Sequence, residues 1–394
     1  MTFGSDRGIR VTSTVTHREN RLSTIEWSSD HIQHRADWHS ENGAPAPRIV
    51  TIADDRLSAD RAYRRIKAGE ALLWRGDYNN GRQLLAALGR RADRTRTKQP
   101  PSGDLGALYQ HERARKRARA NVLGNLLIQL DADNHLDLPR APDVRAACTA
   151  AYGRAGAARI VTFSELLGVL GAYRWQQQGV EVPALGARIH PGYGVFSPTR
   201  SEYVDLVADA PLDPEVRTAF DLGTGTGVLA ALLAQRGVSE VVATDITTRA
   251  IRCAKDNAER LGYSGVIAVT GPALYPPGRA DLVVCNPPWL PGVPTSDLER
   301  GVYDHDQSML TDFVHGLRAH LMPRGEAWLV LSDLAELLGL RAADYIPRLL
   351  DDAGLSVMGK LTTRPRHPRA TDRDDPLAVA RTAETTSLWR LRPR

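Results

Sequence analysis

Short apolar runs alternate with amphipathic stretches through the second half of the chain. Five runs predict strands: TAFDLG, EVVATD, GVIAVTG, ADLVVCN and EAWLVLSD. The stretches VLAALLAQRG, TRAIRCAKDNAERLG and SMLTDFVHGLRAHL predict helices between them. Regular strand and helix alternation predicts right-handed βαβ units and a parallel sheet covered on both faces. Near the C-terminus, LSVMGKLTTR and TTSLWRLR predict a sixth strand and an antiparallel seventh.

The first half of the chain has a different pattern. Residues 1–50 mix Ser, Thr, His, Arg and Asp without an apolar period, which predicts a mostly disordered extension. Residues 51–178 contain apolar positions at spacings of three and four, as in SADRAYRRIKAGEALLW and in a long stretch from Leu105 to Leu130. We therefore expect a mainly helical N-terminal domain at 51–178, followed at 179–394 by an α/β domain with a seven-stranded, Rossmann-like sheet.

Composition narrows the class of protein only moderately. The 394 residues are 42% hydrophobic and contain no apolar run of the length that spans a membrane, and the chain starts without the apolar core of a secretory signal. We expect a cytoplasmic protein. The three cysteines lack the spacing of a disulfide framework or a zinc site, so we expect no metal. The net charge of +5 is compatible with an anionic partner but does not identify one.

A glycine-rich turn, DLGTGTG, joins the first predicted strand of the α/β domain to its helix. Gly223 and Gly225 permit a tight turn that brings backbone N–H groups close to a ligand, and Gly227 permits close packing of the helix on the strand. The second strand ends in Asp245, whose carboxylate could accept hydrogen bonds from both hydroxyls of a ribose. The alternative is that Asp245 only caps the helix that follows it.

A dinucleotide-dependent dehydrogenase would also use such a turn and such an acid. Here the turn is GxGxG rather than GxGxxG, it begins with Asp221, and the fourth strand ends in Asn-Pro-Pro-Trp, residues 286–289. Together these motifs resemble class I S-adenosylmethionine-dependent methyltransferases with an Asn/Asp-Pro-Pro-aromatic motif, over about residues 190–394. The resemblance implies a cofactor site in which Asp221 and the three glycines surround the methionine moiety and Asp245 contacts the ribose. We include Thr224, Ile246 and Asn286 in the same site.

One position departs from the family pattern. After the third strand, the family commonly has an acid that contacts the adenine amino group, whereas this chain has Ala273 at the corresponding position. Backbone groups or Leu274 are the remaining candidates for holding the adenine ring.

The Asn-Pro-Pro-Trp motif suits methylation of a planar amino group. The lone pair of such a nitrogen is delocalised, so two acceptors that bind its hydrogens would orient it towards the methyl carbon. The Asn286 side-chain oxygen and the Pro287 carbonyl would be those acceptors, and Trp289 would stack on the planar group, a contact worth about 1–3 kcal/mol for a base. The alternative is a strand that ends at proline, with Trp289 as a packing residue.

The segment HPGYGVFSPTRSEY, before the first strand of the α/β domain, resembles the segment at that place in release-factor glutamine methyltransferases. Those enzymes also have a helical N-terminal domain, and their segment covers the cofactor. The resemblance implies a cofactor-covering role for Phe196, Pro198 and Thr199. A purely structural hairpin is the alternative.

Several other residues are candidates for substrate binding. The segment RPRHPR, between the sixth and seventh strands, supplies Arg364, Arg366 and His367, which could contact a phosphate or carboxylate. Tyr303, in YDHDQ, could cover the substrate; a metal site in that segment is the weaker alternative. The basic segment RARKRAR, in the first half, is either a solvated surface or an RNA contact.

The sequence as a whole predicts an N-methyltransferase that acts on a planar amino or amide nitrogen with S-adenosylmethionine as cofactor. An RNA base is the leading acceptor, a protein glutamine is the second, and a small molecule in a biosynthetic pathway is the third. A protein that keeps the fold and a vestigial cofactor pocket, and only binds RNA or acts as a scaffold, is the alternative from another class. The oligomeric state does not follow from the sequence, and we expect no membrane partner.

Overall fold

The computed structural model describes residues 9–10, 23–29, 32–94, 103–154, 156–294, 296, 298–366, 372 and 375–394. The chain divides into two compact units. The first unit comprises Met1–Pro100 and Gln110–Tyr173, and the second comprises Pro101–Tyr109 and Arg174–Arg394.

The first unit contains a seven-stranded mixed sheet. Its strands in chain order are β1 (Ile9–Arg10), β2 (Thr24–Ser29), β3 (Ile32–Trp38), β4 (Ile49–Ala53), β5 (Ala71–Trp74), β6 (Leu126–Leu130) and β7 (Arg159–Thr162), and in space their order is β1-β4-β5-β6-β7-β3-β2. The β4, β5 and β6 strands are parallel, and β7 is antiparallel to β6. The helices that begin in this unit are α1 (Ala59–Lys67), α2 (Tyr78–Arg94), α4 (Arg145–Tyr152) and α5 (Phe163–Gln178), and α3 (Leu105–Leu123) begins in the second unit and continues in this one.

Helices dominate residues 51–178, for which the sequence predicts a mainly helical domain, but the strands of this sheet within that range are not predicted. The run ALLW continues the helical period of α1, but Gly69 adopts a φ of 94° that ends the helix. After Glu70, the four residues Ala71–Trp74 form the fully buried strand β5. Similarly, α3 ends at Leu123. The apolar run LLIQL, which the helical pattern from Leu105 to Leu130 includes, forms β6. Runs of four or five buried residues are too short for periodicity to separate a strand from a helix.

The prediction of a disordered extension at 1–50 is wrong for the described part of that segment. The β2 and β3 strands pair in antiparallel register, with Ile25 opposite Ala36 and Trp27 opposite His34. Ile25, Trp27, Ala36 and Trp38 are buried and belong to the core of the first unit. Only every second residue is apolar, and the polar residues between them lower the overall hydrophobicity of the segment, so its composition does not reveal the strands.

The second unit contains the predicted seven-stranded sheet. Its strands are β10 (Thr218–Leu222), β11 (Glu240–Thr244), β12 (Ile267–Thr270), β13 (Ala280–Cys285), β16 (Leu321–Ser332), β17 (Leu355–Thr363) and β18 (Thr386–Pro393), in the spatial order β12-β11-β10-β13-β16-β18-β17. The first five are parallel, and β18 runs antiparallel to both β16 and β17. The α/β, Rossmann-like fold and the antiparallel seventh strand are confirmed.

Helices and two small strand pairs complete the second unit. The helices are α6 (Glu202–Asp209), α7 (Val228–Gln235), α8 (Thr248–Arg260), α9 (Ser308–His320), α10 (Leu334–Leu337), α11 (Tyr345–Asp352) and α12 (Ala378–Ala383). The small pairs are β8 (Val180–Val182) with β9 (Ala187–Ile189), and β14 (Leu290–Pro291) with β15 (Tyr303–Asp304). Among the described residues of the whole chain, no helix is both long and apolar enough to cross a membrane.

Both faces of the second sheet are covered. Along β10, Ala219 faces one hydrophobic cluster, and Phe220 faces the other. Along β13, Val284 belongs to the first cluster, and Val283 belongs to the second. The strand order reverses between β10 and β13, and open parallel sheets bind ligands in the crevice at such a point, outside the carboxyl ends of the strands. The glycine turn follows β10, and the Asn-Pro-Pro-Trp motif follows β13.

Candidate active site

The glycine turn has the backbone conformation that its sequence predicts. Gly223, Gly225 and Gly227 have φ angles of 69°, 55° and 81°, a region that favours glycine. At Gly227, a Cβ atom would lie 3.2 Å from the Cα atom of Ala254 in α8, so this glycine also permits a close approach between two elements. The turn is therefore fixed both by its own dihedral angles and by packing.

Asp221 closes the inner side of the turn. Its Oδ2 atom accepts hydrogen bonds from the Thr224 hydroxyl at 2.6 Å and from the Ala230 backbone N–H at 3.0 Å. The carboxylate is buried, and burial raises its pKa to about 6, although the two hydrogen bonds oppose that shift. A cationic group placed beside this carboxylate would offset the cost of burying its negative charge.

Asp245 organises the neighbouring loop after β11. Its Oδ2 accepts from the Gly225 N–H at 3.1 Å, and its Oδ1 accepts from the N–H and the hydroxyl of Thr247 at 2.9 and 3.0 Å. The α8 helix is capped by Thr247, whose hydroxyl accepts from the Ala250 N–H. Asp245 is therefore not the cap of α8, and its carboxylate joins the glycine turn to the loop that would carry a ribose.

The Asn-Pro-Pro-Trp motif starts directly after β13. The Trp289 indole N–H donates to the Asn286 side-chain oxygen at 2.8 Å, so the two ends of the motif hold one another. The second lone pair of that oxygen remains available for a hydrogen-bond donor. The Arg200 guanidinium carbon lies 4.5 Å from the centroid of the Trp289 ring. One face of the Trp289 ring, which is predicted to stack on the methyl acceptor, is therefore in contact with the Arg200 cation.

The chain after the motif is anchored in two ways. The β14 strand pairs with β15, and the Asp304 carboxylate accepts from the backbone N–H groups of Met309 and Leu310 at 3.1 Å each. The Arg341 side chain is 1% exposed, and it donates to the Trp289 carbonyl at 3.2 Å and to the Gln307 side chain at 2.6 Å. Gln307 has a φ of 57°, which is unusual for a residue other than glycine.

A cavity of about 280 Å³ lies at the carboxyl ends of β10, β11 and β13. It brings together most of the residues that the sequence assigns to the cofactor. Those that line it are Phe196, Asp221, Gly223, Thr224, Gly225, Asp245, Ile246 and Asn286. The lining does not include Gly227, Pro198 or Thr199 among the cofactor candidates, nor Pro287 and Trp289 of the motif.

The segment before the first strand of this sheet is a loop, and it enters the cavity only in part. The hairpin β8–β9 precedes the segment, and α6 follows it. The lining residues Phe196 and Gly301 are in contact, because a Cβ atom at Gly301 would lie 2.7 Å from the Phe196 Cβ. Phe196 is therefore positioned to cover the cavity, whereas Pro198 and Thr199 lie outside its lining.

The adenine end of the predicted site uses a different set of groups. Ala273 and Leu274 line the cavity, and the Ala273 N–H donates to the Asp245 carbonyl at a long 3.4 Å. The Leu274 carbonyl accepts from the Thr244 hydroxyl at 2.5 Å. Ser308 and Asp312, from the start of α9, also line the cavity and supply polar side chains.

The predicted substrate residues are spread more widely. Tyr303 forms β15 and packs against the cluster that contains Leu290. Arg364 and Arg366 are exposed after β17, and Arg366 lies 3.5 Å from Asp205 on α6. None of these three lines the cavity. His367 lies outside the described residues. Within the part of the chain that the structure describes, no group of three or more His, Cys, Asp and Glu side chains is arranged to hold a metal ion.

Sequence reasoning missed several residues around the site. Arg200 and Arg341 contact Trp289, and Arg300 and Met309 line the cavity. Their signal in the sequence is weak, because arginine is common in this chain and each of these residues lies in a loop or at an element end. Only the fold brings them to the motif.

The cavity fits S-adenosylmethionine chemically. Two buried carboxylates, those of Asp221 and Asp245, face a cavity that also contains apolar side chains such as Val228, Leu229 and Leu274. A ligand with a cationic methionine moiety, ribose hydroxyls and a flat base matches that combination.

Comparison with known proteins gives the class of this domain. Residues 187–338 match the family model described as "Methyltransferase small domain". Residues 187–338 form an S-adenosylmethionine-dependent methyltransferase domain. The match covers β9 to α10 and includes both the glycine turn and the Asn-Pro-Pro-Trp motif.

Curated relatives show similarity over part of the chain. A ribosomal protein L11 methyltransferase from Pelotomaculum thermopropionicum is 38% identical over 117 residues, which are 28% of this chain and 37% of the relative. A tRNA1(Val) (adenine(37)-N6)-methyltransferase from Cytophaga hutchinsonii is 29% identical over 147 residues, or 35% and 61% of the two chains. A release factor glutamine methyltransferase from Mycolicibacterium smegmatis is 40% identical over 121 residues, or 29% and 42%. The chain thus spans less than two thirds of the length of each.

Proposed function

We propose that this protein transfers a methyl group from S-adenosylmethionine to an exocyclic amine of an RNA base. The observation that carries the proposal is the shared cavity, because a single space is lined by the glycine turn, by Asp245 and by Asn286. The groups suited to the cofactor and the first residue of the amino-orienting motif thus face each other.

Some residues of the site bind the cofactor, and others orient the methyl acceptor. Asp221 and the backbone of the glycine turn bind the cationic end of the cofactor, and Asp245 accepts from the ribose hydroxyls. When bound, S-adenosylmethionine supplies an electrophilic methyl group on a positively charged sulfur. The free lone pair of the Asn286 oxygen and the Pro287 carbonyl accept from the two hydrogens of the acceptor NH2, and this directs its nitrogen lone pair at the methyl carbon.

Electrostatics favours the transfer without a strong base before attack. The nitrogen gains positive charge as the sulfur loses it, and the two oxygen acceptors stabilise that developing charge. Once the nitrogen is methylated, one of its protons passes to solvent. Trp289 holds the plane of the base by stacking, and the contacts of its indole N–H and its carbonyl fix where that plane lies.

Three considerations support RNA as the acceptor. The chain carries a net charge of +5, and Arg364 and Arg366 follow the carboxyl end of β17. The relatives named for tRNA adenine methylation include one of which 61% is covered, compared with 42% for the release factor enzyme from Mycolicibacterium smegmatis. The seven-stranded sheet of the first unit weakens the similarity to a helical N-terminal domain, which had favoured a protein substrate.

A protein glutamine is the second candidate. The observation that favours it is the segment before α6, which places Phe196 against the cavity as the resemblance to release-factor enzymes implies. A glutamine amide offers the same planar NH2 to Asn286 and Pro287.

The first experiment measures cofactor binding. Calorimetry of the full chain with S-adenosylmethionine and with S-adenosylhomocysteine should show binding of both in the micromolar range. No binding at millimolar ligand would contradict the enzyme and favour the vestigial pocket.

The second experiment identifies the acceptor. The protein is incubated with a cell extract and cofactor that is tritiated on its methyl group, and the products are digested with RNase or with protease. Label that becomes acid-soluble only after RNase supports the RNA proposal. Label released only by protease would establish the glutamine alternative, and label that is acid-soluble before either digestion would establish a small-molecule acceptor.

A further inference from the structure

The cation on Trp289 is held by a buried pair of carboxylates. The Arg200 Nε lies 2.6 Å from Glu202 Oε1, and its Nη2 lies 2.9 Å from Glu384 Oε1. Both glutamate side chains are 0% exposed, whereas the Arg200 side chain is 16% exposed. The Ser332 hydroxyl donates to the same Glu384 oxygen at 2.6 Å.

These partners belong to three different elements of the second unit. Glu202 begins α6, Glu384 immediately follows the last helix, and Ser332 ends strand β16. The guanidinium is therefore fixed by the body of the sheet and not by the loop that carries Arg200 itself. Two short ion pairs in a desolvated setting are much less mobile than a surface pair.

Trp289 is then constrained in three directions. Its indole N–H binds Asn286, its carbonyl accepts from Arg341, and one face of its ring lies against Arg200. A guanidinium 4.5 Å from the centroid of an indole ring is within the range of a cation–π contact. Each contact uses a different part of the residue, so the ring has a single orientation.

We propose that Arg200 is a positioning residue that sets the plane of Trp289 and covers one face of its ring, so that the methyl acceptor stacks on the opposite face. This inference rests on the proposed function, since it assumes that Trp289 stacks on the acceptor. An acceptor on the covered face would have to displace a cation from two buried carboxylates. The acceptor nitrogen therefore meets Asn286 from one side only.

A variant that tests this inference must remove the Arg200 cation without leaving the negative charges of Glu202 and Glu384 buried and unpaired. The first variant combines Arg200→Met with Glu202→Gln and Glu384→Gln, which makes the cluster neutral. The second is Arg200→Lys, which keeps a charge but loses the planar fork. The control is Lys360→Met, because the exposed Lys360 ammonium lies 4.0 Å from the centroid of Trp389 in the same unit.

The first readout is the 15N–1H spectrum of the indole groups. The chain has seven tryptophans, and a Trp289→Phe variant assigns the signal of interest. In the neutral triple variant the Trp289 signal should move while those of Trp328 and Trp389 stay. Lys360→Met should move the Trp389 signal alone. If the triple variant does not fold, Arg200→Lys gives the same test, because loss of the fork should also move the Trp289 signal alone.

The second readout is methyl transfer from tritiated S-adenosylmethionine to total RNA. The triple variant should bind S-adenosylhomocysteine within about threefold of the unmodified protein, but its rate should fall at least about tenfold, with Arg200→Lys between the two. Adding Trp289→Phe to the triple variant should lower the rate by less than about a further twofold, because both changes act on the same contact.

Three outcomes would overturn the inference. They are an unchanged Trp289 signal, movement of all indole signals in the second unit, and rate losses that multiply when Trp289→Phe is added. An unmodified protein that binds S-adenosylhomocysteine but labels no RNA would instead contradict the proposed acceptor, and the indole signals would still decide whether Arg200 sets the plane of Trp289.

Discussion

At the scale of single residues, the proposed function gives Asn286 two roles, of which the sequence predicts only one. Its side-chain oxygen accepts the indole N–H of Trp289, and its position on the cavity wall leaves the other lone pair for an acceptor NH2. In the proposed reaction, Asn286 therefore orients both the Trp289 ring and the nucleophilic nitrogen. An alanine at this position would remove both effects and leave the cofactor groups of the glycine turn in place.

We expect Asn286→Ala to lower the rate of methyl transfer by about 10²–10³, the cost typical of losing one well-placed hydrogen-bonding group in a transition state. The affinity for S-adenosylhomocysteine should stay within about threefold, since Asp221 and Asp245 are unchanged. Single-turnover assays with tritiated cofactor and calorimetry measure the two quantities. Unchanged turnover would show that Asn286 does not orient the acceptor.

Asp221 should make stability depend on pH. Its pKa is raised from 3.8 to about 6, so between these values the folded protein holds a proton that the unfolded chain has lost. The contribution of this group to the free energy of unfolding therefore falls as pH rises through that window. In the proposed reaction, the same carboxylate binds the cationic end of the cofactor.

The isosteric variant Asp221→Asn lacks that titration. Its free energy of unfolding, relative to the unmodified protein, should increase by about 2 kcal/mol between about pH 4.5 and about pH 7.5. Urea unfolding followed by circular dichroism at the two pH values measures the difference. The same variant should bind S-adenosylmethionine more weakly. A difference that is independent of pH would mean that Asp221 titrates normally in the folded state.

At the scale of elements, the glycine turn combines a left-handed backbone with close packing. Gly227 has a φ of 81° and approaches α8. Gly262, two residues after the end of α8, has a φ of 77°, but a Cβ atom added there would have no other atom within 4 Å. The pair separates the cost of conformation from the cost of packing.

We expect Gly262→Ala to lower the free energy of unfolding by about 1–2 kcal/mol, because alanine is strained in this region. Gly227→Ala should cost about 1–3 kcal/mol more, because its Cβ would press on the backbone of Ala254, which cannot rotate away. Urea denaturation of both variants gives the comparison. Equal losses would mean that the α7–α8 contact relaxes at little cost.

The elements of the two units differ in how far the sequence predicts them. In the second unit most of the parallel strands are apolar runs that end at or next to Asp or Asn, so the sheet and its site followed from the motifs. In the first unit, β5 and β6 directly follow helices and share their Ala and Leu residues, and β2 and β3 carry charged residues on one face. Local pattern could not separate them, because pairing between distant strands decides their conformation.

The site shows a similar division. The residues that face the cavity come mostly from motifs with fixed spacing, and the sequence identifies those. Arg200, Arg341 and Glu384 make contacts between distant parts of the chain, and no residue spacing in the sequence predicts those contacts. Pro198 and Thr199, assigned from a partial resemblance alone, lie outside the cavity lining.

At the scale of the whole molecule, the net positive charge should act on RNA binding through the exposed arginines of the second unit. We expect the double variant Arg364→Ala and Arg366→Ala to reduce the slope of log Kd against log salt concentration by about 1.4, since each phosphate contact to a single strand contributes about 0.7. Fluorescence anisotropy with a labelled single-stranded oligoribonucleotide measures that slope.

Arg348→Ala is the matched control for this prediction. Arg348 is exposed on α11, and it pairs with Asp344 at 2.9 Å as Arg366 pairs with Asp205 at 3.5 Å. Its removal should leave the slope unchanged. A change in the control that is half as large as that in the double variant would mean that RNA responds only to net charge.

The identity of the methylated product decides whether the site works as proposed. Total RNA is incubated with S-adenosylmethionine and either the unmodified protein or Asn286→Ala, digested to nucleosides and analysed by mass spectrometry. We predict a base methylated on an exocyclic nitrogen, formed by the unmodified protein and reduced about a hundredfold or more with the variant. A methyl group on carbon, on a ribose or on a ring nitrogen, or equal amounts of product from both proteins, would contradict the proposed reaction.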